Sequence, residues 1–274
     1  MENAAEYTRR LVKHGARAHK SLGQNFLISD EVIEHIISAS TLQPDVPLVE
    51  IGPGLGVLTR VLAPQVEKMW AVELDDHKIS ILNKELKGHP IELIHQDALK
   101  LDLKDLWGEK MGYLIGNLPY YITSPLIMHF LEQEKQLRGM TIMVQKEVAD
   151  RIAASPGSKT YGILSIAVQI SARVTKVMDV LPSAFWPAPK VTSAVIRLDL
   201  CSYPGFDMNR KDFFRVVKAA FSQRRKTLGN SLAGGLGIKK DDVIERMQSV
   251  GISASRRAES LSIEEFQVLS KAFL

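Results

Sequence analysis

Two short stretches carry residue types whose spacing could do chemistry. The first, Glu50-Ile51-Gly52-Pro53-Gly54-Leu55-Gly56, closes an apolar run and opens a helical pattern. Glycines at a strand-to-helix turn let the backbone bend sharply and let a ligand approach with no Cβ in the way. The spacing is G-x-G-x-G rather than the G-x-G-x-x-G of dinucleotide sites, and the Lys-Ser/Thr of a phosphate-binding loop is missing. A ligand without phosphate therefore fits better, and S-adenosylmethionine is such a ligand. Glu73 ends the next strand candidate, 21 positions after Gly52, where a carboxylate can accept from both ribose hydroxyls. Asp97 ends a third and can accept from an adenine amine or cap a helix, two uses that can coexist.

The second stretch is Gly116-Asn117-Leu118-Pro119-Tyr120-Tyr121, at the end of a fourth strand candidate. An aromatic amine is a poor nucleophile because its lone pair is delocalised into the ring. If the Asn117 side-chain oxygen and the Leu118 carbonyl each accept one N–H, the nitrogen can pyramidalise and aim its lone pair at an electrophilic methyl group, with no strong base. Pro119 stiffens the turn and holds Leu118 extended. Tyr120 offers a face on which an extruded base can stack.

The elements that would position these residues alternate in type. Strand candidates are Leu48–Ile51, Met69–Glu73, Ile91–His95, Tyr113–Gly116, Met140–Gln145 and Val191–Leu200; helical patterns cover 57–64, 76–87, 124–136, 146–153 and 161–172. Asp30 is the expected N-cap of a helix to about Ser40. Alternation of this kind predicts an α/β, doubly wound, Rossmann-like domain with a parallel sheet, its last strand an antiparallel edge. After the linker Ser202-Tyr203-Pro204-Gly205, helical patterns over 210–222, 226–233, 240–250 and 262–273 predict a small helical domain, loosely packed at Gly234, Gly235 and Gly237. The expected division is 1–204, with a basic segment 1–24, and 205–274.

A chain of 274 residues with 45% hydrophobic content can bury one full core and a smaller second one. No apolar run approaches the roughly 20 residues of a bilayer-spanning helix, and the N-terminus lacks the apolar stretch of a secretory signal, so a cytoplasmic protein is expected. Cys201 is the single cysteine, read as a small strand-end residue; it leaves no disulfide and no cysteine-based zinc cluster, and no metal is expected. Net charge is +3 over residues 1–24, −4 over 25–206 and +5 over 207–274. Basic ends around a near-neutral centre suit a polyanionic partner. Arg9, Arg10, Lys13, Arg17 and Lys20 form one basic group, and Arg224, Arg225 and Lys226 another that could follow a phosphate track.

Five ordered motifs together resemble one family: Gly23-Gln24-Asn25-Phe26-Leu27, Val49 to Gly56, Gln96-Asp97-Ala98, Asn117-Leu118-Pro119-Tyr120, and Phe185-Trp186-Pro187-Ala188-Pro189-Lys190-Val191-Thr192-Ser193-Ala194-Val195. These are similar to the ribosomal RNA adenine dimethyltransferases, and most similar to the bacterial branch that dimethylates two adjacent adenines near the 3′ end of small-subunit rRNA. The resemblance spans nearly the whole chain, including Gln145–Arg151 and Pro156–Lys159. It implies an S-adenosylmethionine-dependent enzyme acting on the small ribosomal subunit and its rRNA, with a role in subunit biogenesis. It also implies roles for single residues. Asn25, Leu27 and Gly54 would contact the cofactor; Gly52 would lie under its methionine part. Glu73 would hold the ribose, Asp97 the adenine, and Asn117 would stand between cofactor and target amine. Phe185 would stack on the target base opposite Tyr120.

Two other readings compete. Erythromycin-resistance methyltransferases share the fold and act on large-subunit rRNA, but Leu118 and the Gly23 start of the first motif favour the small-subunit branch. A noncatalytic binding or assembly protein is opposed by the intact Asn117–Tyr120 motif, although an assembly role can accompany catalysis.

Overall fold

The computed structural model describes residues 2–18 and 24–274; Lys20 and Gly23 lie outside them. Nine strands are present among the described residues: β1 (Phe26–Leu27), β2 (Leu48–Ile51), β3 (Met69–Glu73), β4 (Ile91–His95), β5 (Gly112–Asn117), β6 (Leu137–Gln145), β7 (Ala172–Val180), β8 (Phe185–Trp186) and β9 (Ser193–Leu200). Seven build one sheet in the order β4-β3-β2-β5-β6-β9-β7, an α/β doubly wound, Rossmann-like arrangement, and helices follow it in the chain. β2 is buried along its whole length, as a short apolar run covered on both faces must be. It pairs in parallel with β3 and β5, so that Ile51 lies opposite both Val72 and Gly116. The strand order reverses between β2 and β5, and their carboxyl ends diverge there into the crevice where such sheets bind ligands.

Gly116 permits this pairing: a Cβ on it would lie 2.6 Å from the Ile51 carbonyl oxygen. β9 runs antiparallel to β6, as expected, but it is not the edge. That place belongs to β7, which no strand pattern in the sequence predicts. Most of β7 is exposed or half-buried and carries Arg173, Lys176 and Asp179, which dilute the apolar alternation. β1 and β8 form a separate antiparallel ladder, Phe26 opposite Trp186 and Leu27 opposite Phe185.

The helix Asp30–Ser40 is present, but Ser29 is its N-cap, its side chain accepting the Val32 N–H. Asp30 instead accepts the Ala4 N–H at 3.0 Å, at the start of a helix, Ala4–Lys13, within the segment expected only to be basic. An Asn3–Glu6 capping box starts that helix.

Contacts divide the chain into two compact units, Met1–Ala149 with Arg173–Leu200, and Asp150–Ala172 with Cys201–Leu274. In the second, Phe213, Leu232, Met247 and Phe266 are fully buried, joined by Ile166 and Ile170 from the 150–172 segment. The glycines there are no loose hinge. The helix Leu228–Leu236 runs through Gly234 and Gly235, and a Cβ on Gly235 would stand 2.7 Å from Cα and Cβ of Ala219 on the helix Arg210–Ala220. Gly235 thus lets two helices approach closely, and the helix stops at Gly237, where φ is +68°. Cys201 is exposed just beyond β9. No helix among the described residues is long and apolar enough to cross a membrane.

Candidate functional site

At the reversal point the chain builds a pocket chiefly from five stretches: Gln24–Leu27, Glu50–Leu55, Glu73–Leu74, Gln96–Ala98 and Asn117–Ile122. Gly52, Gly54 and Gly56 all have positive φ, so side chains would strain the turn. The turn is held from both sides. Outside, the buried Tyr7 hydroxyl donates to the Leu55 carbonyl at 2.9 Å, tying the N-terminal helix to it. Inside, Glu73 Oε2 accepts the Gly54 N–H at 3.1 Å, while Oε1 accepts those of Leu74 and Asp75 at 2.9 and 3.0 Å. Burial raises the Glu73 carboxyl above the usual range, opposed by the N–H of Asp75, the Lys78 ammonium and the N–H groups of Gly54 and Leu74. Three N–H donors leave that carboxylate room for one more partner.

Asp97 caps the short 3₁₀ turn Ala98–Lys100 through the Leu99 N–H and lines the pocket as well. Asn117 Nδ2 donates to the Asn25 carbonyl at 3.3 Å, which commits the nitrogen to the protein and leaves Oδ1 as the acceptor. The next residues hold their carbonyls differently. Thr123 Oγ1 donates to those of Pro119 and Tyr120, and Ile122 N to that of Pro119, but no donor among the described residues takes the Leu118 carbonyl. Asn117, Leu118 and Tyr120 are thus on one wall. Phe185 is not: its ring is 3% exposed, packed in the core beside Leu27, and does not line the pocket.

Glu50 heads the glycine motif, and its state is not legible from local sequence. It lines the pocket at 2% exposure with Oε2 lacking a hydrogen-bond partner. Burial pushes its carboxyl up to about 8, with the nearby Thr59 hydroxyl opposing and the Glu73 charge adding. A second unannounced feature is the fully buried Lys78, whose ammonium contacts Asp75 Oδ2 at 2.6 Å and Gln24 Oε1 at 2.5 Å, joining the Gln24–Leu27 segment to the end of β3. The signal for both was a charged residue inside an apolar period, which local pattern cannot tell from a solvated one.

Glu50, Glu73 and Asp97 line the pocket, and no Lys or Arg among the described residues does. A phosphate-bearing cofactor would meet no counter-charge from these residues. A cationic ligand rich in hydroxyl and amine donors fits the acceptors present.

The family scan matches residues 15–273 to "Ribosomal RNA adenine dimethylase". The chain belongs to that family. As a ribosomal RNA adenine dimethyltransferase it is 65% identical over 274 residues, all of this chain and 99% of the relative, to "Ribosomal RNA small subunit methyltransferase A" of Desulfitobacterium hafniense. It is 45% identical over 267 residues, 96% of each chain, to the protein so named in Clostridium acetobutylicum. Among solved structures it is similar to a dimethyladenosine transferase from Plasmodium falciparum, with a TM-score of 0.77, 26% identity and coverage of 89% and 95% of the two chains. The 23S rRNA methyltransferase ErmE matches with a TM-score of 0.69 and 26% identity over 90% and 99%. The fold therefore accommodates both subunits' rRNA, and the dimethyltransferase's substrate must be argued from its nearer relatives.

In the second unit, Arg224, Arg225 and Lys226 are all exposed on the turn before the helix Leu228–Leu236. Arg224 also donates to the Lys159 carbonyl at 2.6 Å, which brings the Pro156–Lys159 loop beside them. In the N-terminal group Arg9, Lys13 and Arg17 are exposed, but Arg10 is spent on a two-armed pair with Glu85 and on Glu2. Among the described residues no cluster of His, Cys, Asp or Glu could hold a metal.

Proposed function

We propose that this enzyme, in the cytoplasm, transfers methyl groups from S-adenosylmethionine to the exocyclic N6 of two adjacent adenines near the 3′ end of small-subunit rRNA, giving N6,N6-dimethyladenosine. The observation that carries the substrate is the 65% identity over the whole chain to a small-subunit rRNA methyltransferase. The carboxyl-lined pocket, with no Lys or Arg among its described lining residues, supports the cofactor, which supplies an electrophilic methyl group on a sulfonium. Asn25, Leu27, Gly52 and Gly54 would embrace it, Glu73 would use its remaining acceptor on the ribose, and Asp97 would take the adenine amine.

The protein's own part is orientation. Asn117 Oδ1 and the Leu118 carbonyl accept the two N–H of the target amine, drawing its lone pair out of conjugation and along the line of transfer. Tyr120 carries one face of the base. For Phe185 to carry the other, its ring must move out of the core, with the β1–β8 ladder yielding. Arg224, Arg225 and Lys226 hold phosphates and specify no sequence, so the small subunit itself supplies the recognition surface by shape. This coupling of methylation to an assembled particle supports a role in subunit biogenesis.

The test is to incubate the protein with labelled S-adenosylmethionine and, separately, unmethylated small subunits, large subunits and naked rRNA, then map the product. Two adjacent dimethylated adenines on small subunits are expected. Label on large subunits instead would move the enzyme to the branch represented by ErmE.

A further inference from the structure

Ser193 lies within the Phe185–Val195 motif, and nothing so far gives it work. It is fully buried, it does not line the pocket, and its Oγ lies 2.6 Å from the hydroxyl of Tyr120, 73 residues away in sequence. That single bond joins two motifs: the turn that presents Asn117 and the strand that follows the Phe185 ladder.

The base of the bond is rigid. Ser193 starts β9 and stands opposite Gln145 at the end of β6, and the Lys146 N–H donates to the Thr192 carbonyl at 2.9 Å, so sheet pairing fixes the Ser193 backbone. Tyr120 is less constrained. It sits in a one-turn 3₁₀ segment, Tyr120–Ile122, tied at its carbonyl by Thr123. Its ring torsion is intrinsically broad. The phenolic oxygen lies on the axis of that torsion, so a partner there fixes the direction of the axis. Because the phenolic O–H and its lone pair prefer the ring plane, the same partner also favours one ring plane. A stacking face must have both fixed, since a tilted ring meets a base at its edge.

We infer that Ser193 is a positioning residue for methyl transfer: its hydroxyl holds the Tyr120 ring in the orientation that receives the target adenine. The inference rests on the proposed place of Tyr120 beside the base. Ser193 acts only through Tyr120, so removing either end of the bond should do the same thing. Ser193→Ala and Tyr120→Phe should each slow single-turnover transfer to unmethylated small subunits about 3- to 10-fold, as loss of one ordinary hydrogen bond does. The double variant should be no slower than the slower single one. Melting temperature should fall by no more than the few degrees one buried hydrogen bond is worth and S-adenosylmethionine affinity should stay at the wild-type value, whereas a serine with a merely structural role would leave the transfer rate of the folded enzyme unchanged. Tyr120→Ala, which removes the face itself, should be far slower than any of these.

Wild-type rates for Ser193→Ala, or effects of the two single changes that multiply, would overturn the inference, while a slow Tyr120→Ala leaves the stacking reading standing. If Tyr120→Ala transfers at the wild-type rate, both fall. Should Ser193→Ala fold poorly, Tyr120→Phe alone decides: an unchanged rate means the bond does not position the ring.

Discussion

The Asn117 amide can serve a proton-bearing amine only through its oxygen, and the bond from Nδ2 to the Asn25 carbonyl settles which end is available. Asn117→Ala should therefore reduce transfer about 10²-fold or more while folding stays intact. The two methylations should respond differently: a monomethylated amine has one N–H left and can use only Asn117 or the Leu118 carbonyl. Single-turnover assays on unmethylated and monomethylated substrate separate these steps, and wild-type rates in both would remove Asn117 from the chemistry. Glu73 has a double task, since its carboxylate holds the Gly54 N–H and faces the pocket. In Glu73→Gln an amide NH₂ must face N–H donors, so S-adenosylmethionine affinity should fall by about 10- to 100-fold, the worth of one charge-assisted bond. Calorimetric titration reads this directly. Glu50 makes a prediction about pH. Its carboxyl titrates near 8 in the fold but in the ordinary 4.5 region when unfolded. Its contribution to stability is complete below the unfolded value, because the acid is protonated in both states. It drains away as pH rises toward about 8, because the unfolded chain ionises while native Glu50 keeps its proton. Glu50→Gln should lose less melting temperature than wild type between pH 5 and pH 8; parallel losses would mean that the carboxyl ionises freely in the fold.

Elements meet here through glycines whose purpose is contact. Gly116 lets β5 lie against β2, which sets Asn117 beside the Gly52 turn; Gly235 lets two helices of the second unit touch at Ala219. Gly234, its neighbour, is different, for a Cβ there would meet only the end of the Gln223 side chain at 3.2 Å. Ala favours a helix over Gly by about 1 kcal/mol, whereas forcing a methyl into close-packed backbone costs about 1–3 kcal/mol. Gly235→Ala should therefore lower the denaturation midpoint and Gly234→Ala should leave it unchanged or raise it. Equal stability of Gly235→Ala and wild type would show that the helices separate without cost.

Across the whole molecule the charge is arranged in blocks, and the two basic ends have different fates. The N-terminal helix uses Arg10 to fasten itself to Glu85 and uses Tyr7 to brace the glycine turn, so this end has a structural duty toward the pocket. The Arg224–Lys226 turn is exposed and has no carboxylate partner among the described ion pairs. Replacing Arg224, Arg225 and Lys226 together by neutral residues should weaken binding to small-subunit rRNA and flatten its salt dependence by somewhat under one unit of slope, about 0.7 to 0.9, per lost phosphate contact. S-adenosylmethionine affinity should not change. An unchanged slope would make the turn a solvated surface.

Sequence alone determined the alternation of strands and helices, the glycine turn, and the ends of β3, β4 and β5 where acceptors stand. Each of these is a local matter of period, turn chemistry and residue type, written within a few neighbouring positions. Tertiary structure decided what those residues lack or already hold. Local sequence cannot report that Glu73 spends acceptors on three backbone N–H, that Glu50 is buried with an unpartnered oxygen, or that Phe185 points into a core. Nor could it see β7, whose charged edge hides its alternation, or the bond between Tyr120 and Ser193. Burial and hydrogen-bond partnership depend on what the rest of the chain brings to a residue from far away. That is the physical reason the chemistry was legible before its support was.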